Sequence, residues 1–273
     1  MKPLRMIIDN AHDVATLTAT SEAMQVANTQ RSGRSYAWRS ENLAPQVIEG
    51  TLATARFLSA LVLYDHNLTA GGTVRIEYLL NDEVRYDSGP MPAASIIPLG
   101  IWRAGIDPWG AQDVSELPIR HFVAWMPSTL TNRYRVTITD PNPPVGYMQI
   151  GRIVTGSYYS PPEEMNLSFG VNLKWEDLGE HSRTESGSLR TIGEGEARLL
   201  TFNFSHLTQQ ELTRLSRELL RVKKRTDIYI NVYPEAGGML EAEHAFIARR
   251  ADSYQHTHTR VNNFEVPGAF MEV

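Results

Sequence analysis

The chain has 273 residues, 42% of them hydrophobic and 21% charged, which is the balance of a folded protein rather than a disordered or collagen-like one. Its 26 basic residues against 31 acidic ones leave a net charge of −5, which argues against nucleic acid and anionic membrane as partners, since phosphate binding needs a basic surface. With no cysteine in the sequence, disulfides, thiolate nucleophiles, cysteine-ligated zinc and iron–sulfur clusters are excluded. The first ten residues lack the pattern of a secretory leader and no run of 18 apolar residues occurs, so the expectation is a chain made and folded in the cytoplasm.

In chain order, the first half reads as β structure. Residues 57–64 form an apolar run of strand length, and a turn over 67–72 leads to 73–78, where Val74, Ile76 and Tyr78 alternate with Arg75 and Glu77. Asn81-Asp82 turns the chain into a strand over 83–86, and further strands are predicted over 119–126 and 133–139. Between them lies a long Gly-rich loop, 97–113. The proline cluster at Pro141, Pro143 and Pro144 is the strongest breaker present, so a domain boundary is placed there, with a jelly-roll β-sandwich over 1–143 and a second domain over 144–273.

In the second half, strands are predicted over 148–154, 167–173, 196–204, 227–232, 244–249 and 257–265. One helix stands among them, over 209–223. Thr208 and Glu211 have capping-box spacing, Leu207 and Leu212 occupy the staple positions, and Leu212, Leu215, Leu219 and Val222 make one apolar stripe. Arg214, Arg217 and Arg221 fall on the opposite face, while Lys223, Lys224 and Arg225 suit the negative end of the helix dipole. The fold class expected is therefore mainly β: a sandwich followed by a β-rich α+β domain with one covering helix.

Catalytic patterns are weak. His256 and His258 alternate and could place two imidazoles on one strand face as metal ligands, but no third ligand has a recognisable spacing, so no metal or cofactor is expected. The plainer reading is a solvent face or a subunit contact. In the loop 97–113, Trp102, Arg103, Asp107, Trp109 and Asp113 supply stacking faces and hydrogen-bonding groups suited to a sugar ring, although aromatic residues in loops also cover cores and anchor interfaces. The polar stretch 180–196, with Arg183 and Arg190, reads as a surface arm that orders against a neighbour, the two guanidinium groups being able to pair bidentately with carboxylates.

Several segments resemble known families. Tyr36-Ala37-Trp38-Arg39, the apolar run 55–64 and Gly72-Thr73-Val74-Arg75-Ile76-Glu77-Tyr78 are similar to the galactose-binding-like jelly rolls. Gly151-Arg152-Ile153-Val154-Thr155-Gly156, Leu200-Thr201-Phe202-Asn203-Phe204-Ser205, the capped helix and Ile228-Tyr229-Ile230-Asn231-Val232-Tyr233-Pro234-Glu235 resemble distal tail or baseplate proteins of long-tailed, non-contractile bacteriophages. The resemblance implies a non-enzymatic virion structural protein, assembled in the host cytoplasm into a homo-oligomeric ring at the tail tip and bridging to other tail proteins. The alternative is a carbohydrate-binding module that recognises a glycan of the host cell surface.

Overall fold

The computed structural model describes residues 2–94, 119–141, 143, 145–193 and 195–273. In chain order these carry β1 (Arg5–Ile7), β2 (Thr16–Ala19), β3 (Trp38–Arg39), β4 (Gln46–His66), β5 (Thr73–Leu80), β6 (Glu83–Pro92), β7 (His121–Thr139), β8 (Gln149–Gly156) and β9 (Tyr158–Tyr159). Then come β10 (Asn172–Asp177), β11 (Glu180–Arg183), β12 (Leu189–Ile192), β13 (Glu196–Leu207), helix α1 (Gln209–Arg221), β14 (Ile228–Asn231), the short helix α2 (Gly238–Glu243), β15 (Ala245–Arg250), β16 (Thr257–Arg260) and β17 (Asn263–Glu272). The fold is mainly β, as the composition and alternation indicate.

Two compact units divide the chain, one made of 1–160 with 228–246 and the other of 161–227 with 247–273. The boundary predicted at 143/144 is therefore corrected. β8, which that boundary would assign to the second domain, pairs with β3 and β4 of the first (Trp38↔Ile150, Val62↔Val154), and β14 returns later to pair with β1 (Met6↔Ile230). Pro141 and Pro143 follow the end of β7 in a connection between two strands of one sheet, not in a linker between domains.

In the first unit one antiparallel sheet runs in the order β3-β8-β4-β7-β5-β6, with β2 added along β4. Sequence patterning suggests separate strands over 57–64, 119–126 and 133–139, yet β4 and β7 are continuous over 21 and 19 residues. Pro127 is accommodated because the ladder slips there: Leu58 pairs with Thr129 but Ala60 with Trp125, and a second slip falls between Thr51 and Arg56. Such bulges release ladder positions and sharpen the local bend. The bend is large enough to bring the two ends of β7 together. The Asp65 amide donates to the Arg120 carbonyl just before β7, while the Thr69 amide and hydroxyl donate to Asp140 just after it. The ribbon thus folds its inner face onto itself as a sandwich, whose core gathers Ile48, Leu61, Leu63, Val74, Ile76, Tyr78, Phe122, Tyr134, Val136 and Ile138.

The outer face of β7 and β8 is covered by strands β9, β1 and β14, which are hydrogen-bonded in that order at one end of a longer sheet; Trp125 packs edge-on to Tyr158 at 5.2 Å and His121 edge-on to Tyr229 at 6.2 Å. Arg5 on β1 lies 4.8 Å from both the Trp125 and the Tyr158 rings and donates to Glu235 at 2.7 Å.

A buried polar chain ties the N-terminal turns to the sandwich. Thr29 Oγ1 donates to the Val26 carbonyl at 2.6 Å, so its oxygen accepts from His12 Nε2 at 2.7 Å, and His12 Nδ1 is left to accept from the Tyr134 hydroxyl at 2.5 Å. Burial, reinforced by Arg152, lowers the His12 pKa to about 3 and keeps the ring neutral. Tyr134 reaches His12 because Gly50, its partner across β4–β7, has no side chain: a Cβ there would fall 2.1 Å from Tyr134 Cζ.

In the second unit β13 pairs with β10 on one side and β17 on the other, and β17 also pairs with β15 and β16. The expected strand over 257–265 is two strands meeting in a hairpin, because Asn262 takes a positive φ of 52°. Helix α1 begins as its sequence predicts, with Thr208 Oγ1 accepting from the Glu211 amide at 3.4 Å, and its stripe of Leu212, Leu215, Leu219 and Val222 is buried.

Candidate functional site

The loops of the first unit converge at one end of the sandwich. Three segments build it: 31–39, leading into β3; 65–69, leaving β4; and 145–149, leading into β8. β3 and β8 are in direct register here, since Arg39 pairs with Gln149. Arg39 stacks its guanidinium over the Tyr147 ring, 4.0 Å from the centroid, and donates from Nη2 to Gln149 Oε1 at 2.9 Å. Asn67 locks the third segment in place, donating to the Tyr147 carbonyl and accepting from the Gln149 amide, each at 2.8 Å.

Beside these lie Tyr36, a residue 39% exposed with Arg31 over its ring at 5.2 Å, and Arg34, which is close enough to Asp65 to act on its charge. Burial raises the Asp65 pKa, and Arg34 opposes that rise. His66 is buried, with Nδ1 accepting from the Leu68 amide at 3.2 Å. Desolvation, with Arg120 nearby, lowers its pKa to about 4. It is thus an uncharged imidazole inside the fold rather than a base facing solvent.

Chemically, the cluster offers two planar rings, three guanidinium groups, one carboxyl and two side-chain amides, carried by the ends of β3 and β8 and by the loops beside them. Such a set stacks against an apolar ring face and pairs with hydroxyls and anionic groups at its rim.

The residues singled out in the sequence for a sugar, Trp102, Arg103, Asp107, Trp109 and Asp113, lie outside the described residues. Described residues on either side of that stretch stand at this same end: the Ala93 amide donates to the Gly72 carbonyl, and the Arg120 carbonyl accepts from the Asp65 amide. Arg183 and Arg190 are found on the exposed hairpin β11–β12 of the second unit, where Arg183 donates to the Gly187 carbonyl at 3.1 Å. His258 stacks on Phe264 at 4.5 Å and His256 lies edge-on to the same ring at 6.3 Å. Among the described residues no group of three His, Cys, Asp or Glu side chains is arranged to hold a metal ion, and no helix is long and apolar enough to cross a membrane.

Sequence reasoning missed Arg39, Asn67, Tyr147 and Gln149 as a group. Their meeting depends on the pairing of residue 39 with residue 149, and no local pattern announces so distant a contact.

The fold and this end of it define a two-unit, mainly β protein with a sandwich that presents an arginine- and tyrosine-rich loop surface. No protein-family model matches the chain, and no curated protein matches it. Among solved structures it is similar to the family 32 carbohydrate-binding module of NanJ from Clostridium perfringens in complex with galactose. That likeness has 14% identity, covers 57% of this chain and 99% of that one, and has a TM-score of 0.39. It is also similar to the lectin domain of lectinolysin complexed with Lewis B antigen (7% identity, 56% and 98% coverage, TM-score 0.39). A fucose-binding module of Streptococcus pneumoniae is a third (11% identity, 55% and 99% coverage, TM-score 0.37). All three are distant likenesses.

Proposed function

We propose that the protein is a non-catalytic binding protein whose first unit takes a saccharide at the loop end of its sandwich. The observation that carries this reading is Arg39, held over Tyr147 and against Gln149, with Asn67 fixing both neighbours. A preorganised guanidinium beside aromatic rings and amides is suited to a ring that has apolar C–H faces and an equatorial fringe of hydroxyls. The cluster carries three guanidinium groups, Arg31, Arg34 and Arg39, and one carboxyl, Asp65, on which Arg34 acts, so it favours saccharides bearing carboxylate or phosphate over neutral ones.

Calorimetric titration of the full chain with neutral and acidic oligosaccharides tests the reading. Tyr147→Ala and Arg39→Met should each weaken binding by roughly tenfold or more, as for central aromatic and arginine contacts. Binding to no member of the panel, or variants that bind as the parent does, would refute it.

A second reading, a structural subunit of a bacteriophage tail tip that joins a ring and contacts other tail proteins, is supported by the hairpin β11–β12, whose strand residues are all exposed. Labelling virions with antibody to this chain tests it: label elsewhere than the distal tail, or none, removes it.

A further inference from the structure

The hairpin β11–β12 is a two-stranded sheet of its own, and neither strand pairs with another described strand. Every residue in both strands is exposed. Two strands alone are marginally stable in water, since they lack a hydrophobic face to bury. The register sets Glu180 opposite Ile192 and Ser182 opposite Arg190, so one face of the hairpin carries Glu180, Ser182, Arg190 and Ile192. The other face carries His181, Arg183, Leu189 and Thr191.

The two faces differ in how their polar groups are used. On the second, His181 Nδ1 lies 3.0 Å from Thr191 Oγ1 and Arg183 donates to the Gly187 carbonyl, so both side chains are held within the hairpin. On the first, Glu180 and Arg190 stand exposed, one on each strand, and Ile192 is 66% exposed. Leu178, 57% exposed, stands at the root of the same hairpin.

We propose that the face of Glu180, Ser182, Arg190 and Ile192 packs against the same face of a second copy of this chain. A two-fold contact needs a patch complementary to itself. This face has one acid and one base, so that Glu180 of each copy meets Arg190 of the other while the two Ile192 side chains, joined by Leu178, lose contact with water. The opposite face has one cation, Arg183, and no acid, so two-fold pairing there would bring two guanidinium groups together with no carboxylate to meet them. Charge therefore selects the first face. The contact is small by the measure of stable dimers and forms a weak, concentration-dependent pair. It is independent of whether the first unit binds a saccharide.

Sedimentation of the full chain over a concentration series reads the association. The parent should show a monomer–dimer equilibrium. Glu180→Arg and Arg190→Glu, which set like charges opposite one another, should each weaken it by roughly tenfold or more. Ile192→Asp should do the same, with circular dichroism unchanged in all three. The decisive arm mixes the Glu180→Arg and Arg190→Glu proteins. Each is a poor partner for itself, but every contact between the two is complementary, so the mixture should dimerise as the parent does. A parent that stays monomeric, variants that associate like the parent, or a mixture that remains monomeric overturns the proposal.

Discussion

Arg198 and Glu272 form the most completely buried ion pair described, with side chains 2% and 0% exposed at the centre of the second unit's sheet. Arg198 donates from Nε to Glu272 Oε2 at 2.9 Å and from Nη2 to Oε1 at 2.5 Å, while its backbone amide also reaches Oε2 at 3.1 Å. Its guanidinium lies 5.4 Å from the Trp175 ring on the neighbouring strand. Arg198→Met keeps much of the side-chain volume but removes the guanidinium and with it both of these bonds to the carboxylate. Breaking a buried pair from one side costs about 3–5 kcal/mol, because the surviving charge stays desolvated. The variant can relieve part of that cost by protonating Glu272. Its carboxyl pKa would then be raised in the folded state, so the added stability from the bound proton is lost as pH rises through that value, and the defect should be smaller near pH 5 than near pH 8. The double variant Arg198→Met/Glu272→Leu removes both charges and should recover most of the loss. Urea unfolding followed by circular dichroism at both pH values measures all three effects. A single variant that costs less than about 1 kcal/mol, or a double variant no more stable than the single, would refute the account of this pair as a desolvated charge held by its partner.

Three further outcomes follow from the packing. Gly50→Ala should displace Tyr134 and break its bond to His12, costing about 1–3 kcal/mol as an overpacked core does, read as a lowered thermal midpoint. His12 is neutral in the fold to about pH 3 but titrates near 6.5 when unfolded, so the unfolded chain takes up the extra proton and stability falls as pH drops from 6.5 towards 3, by about 1.4 kcal/mol per unit. His66, lowered to about 4, adds to that slope, and His12→Gln should flatten it in urea titrations across the range. Leu215→Ala should cost about 2–5 kcal/mol, whereas Arg217→Ala on the exposed face of α1 should change chemical stability little.

What the sequence makes legible is local. The cap at Thr208, the leucine stripe of α1, the alternation of Val74, Ile76 and Tyr78, and the turn at Asn81-Asp82 each arise from neighbours within a few residues, and all appear as read. What it hides is distant or irregular. The strand β7 runs through Pro127 because β7 bulges there, three of its residues (126–128) facing the single Ser59 of β4, and only the pairing with β4 shows that the two flanking runs are one strand. Residues 149–156 carry an ordinary strand pattern, but their partner, β4, precedes them by three intervening strands. The loop-end cluster is illegible for the same reason: Arg39 and Tyr147 become neighbours only once β3 has found β8. The polar arm over 180–196 is visible by composition, yet its two faces, and the difference between them, require the register.

The return of residues 228–246 to the first unit bears on how the chain is made. β1 leaves the ribosome well ahead of β14, with which Met6 pairs and which follows only after the 67 residues of 161–227 have been added. During vectorial synthesis Met6 and Ile7 therefore wait with one edge of their strand unsatisfied, and segments of the second unit emerge before the first has its last strand. Neither unit can be released by a single cut in the gene. A fragment ending at Ser160 would lack β14, so an intact first unit requires 228–246 to be joined back across the excised segment.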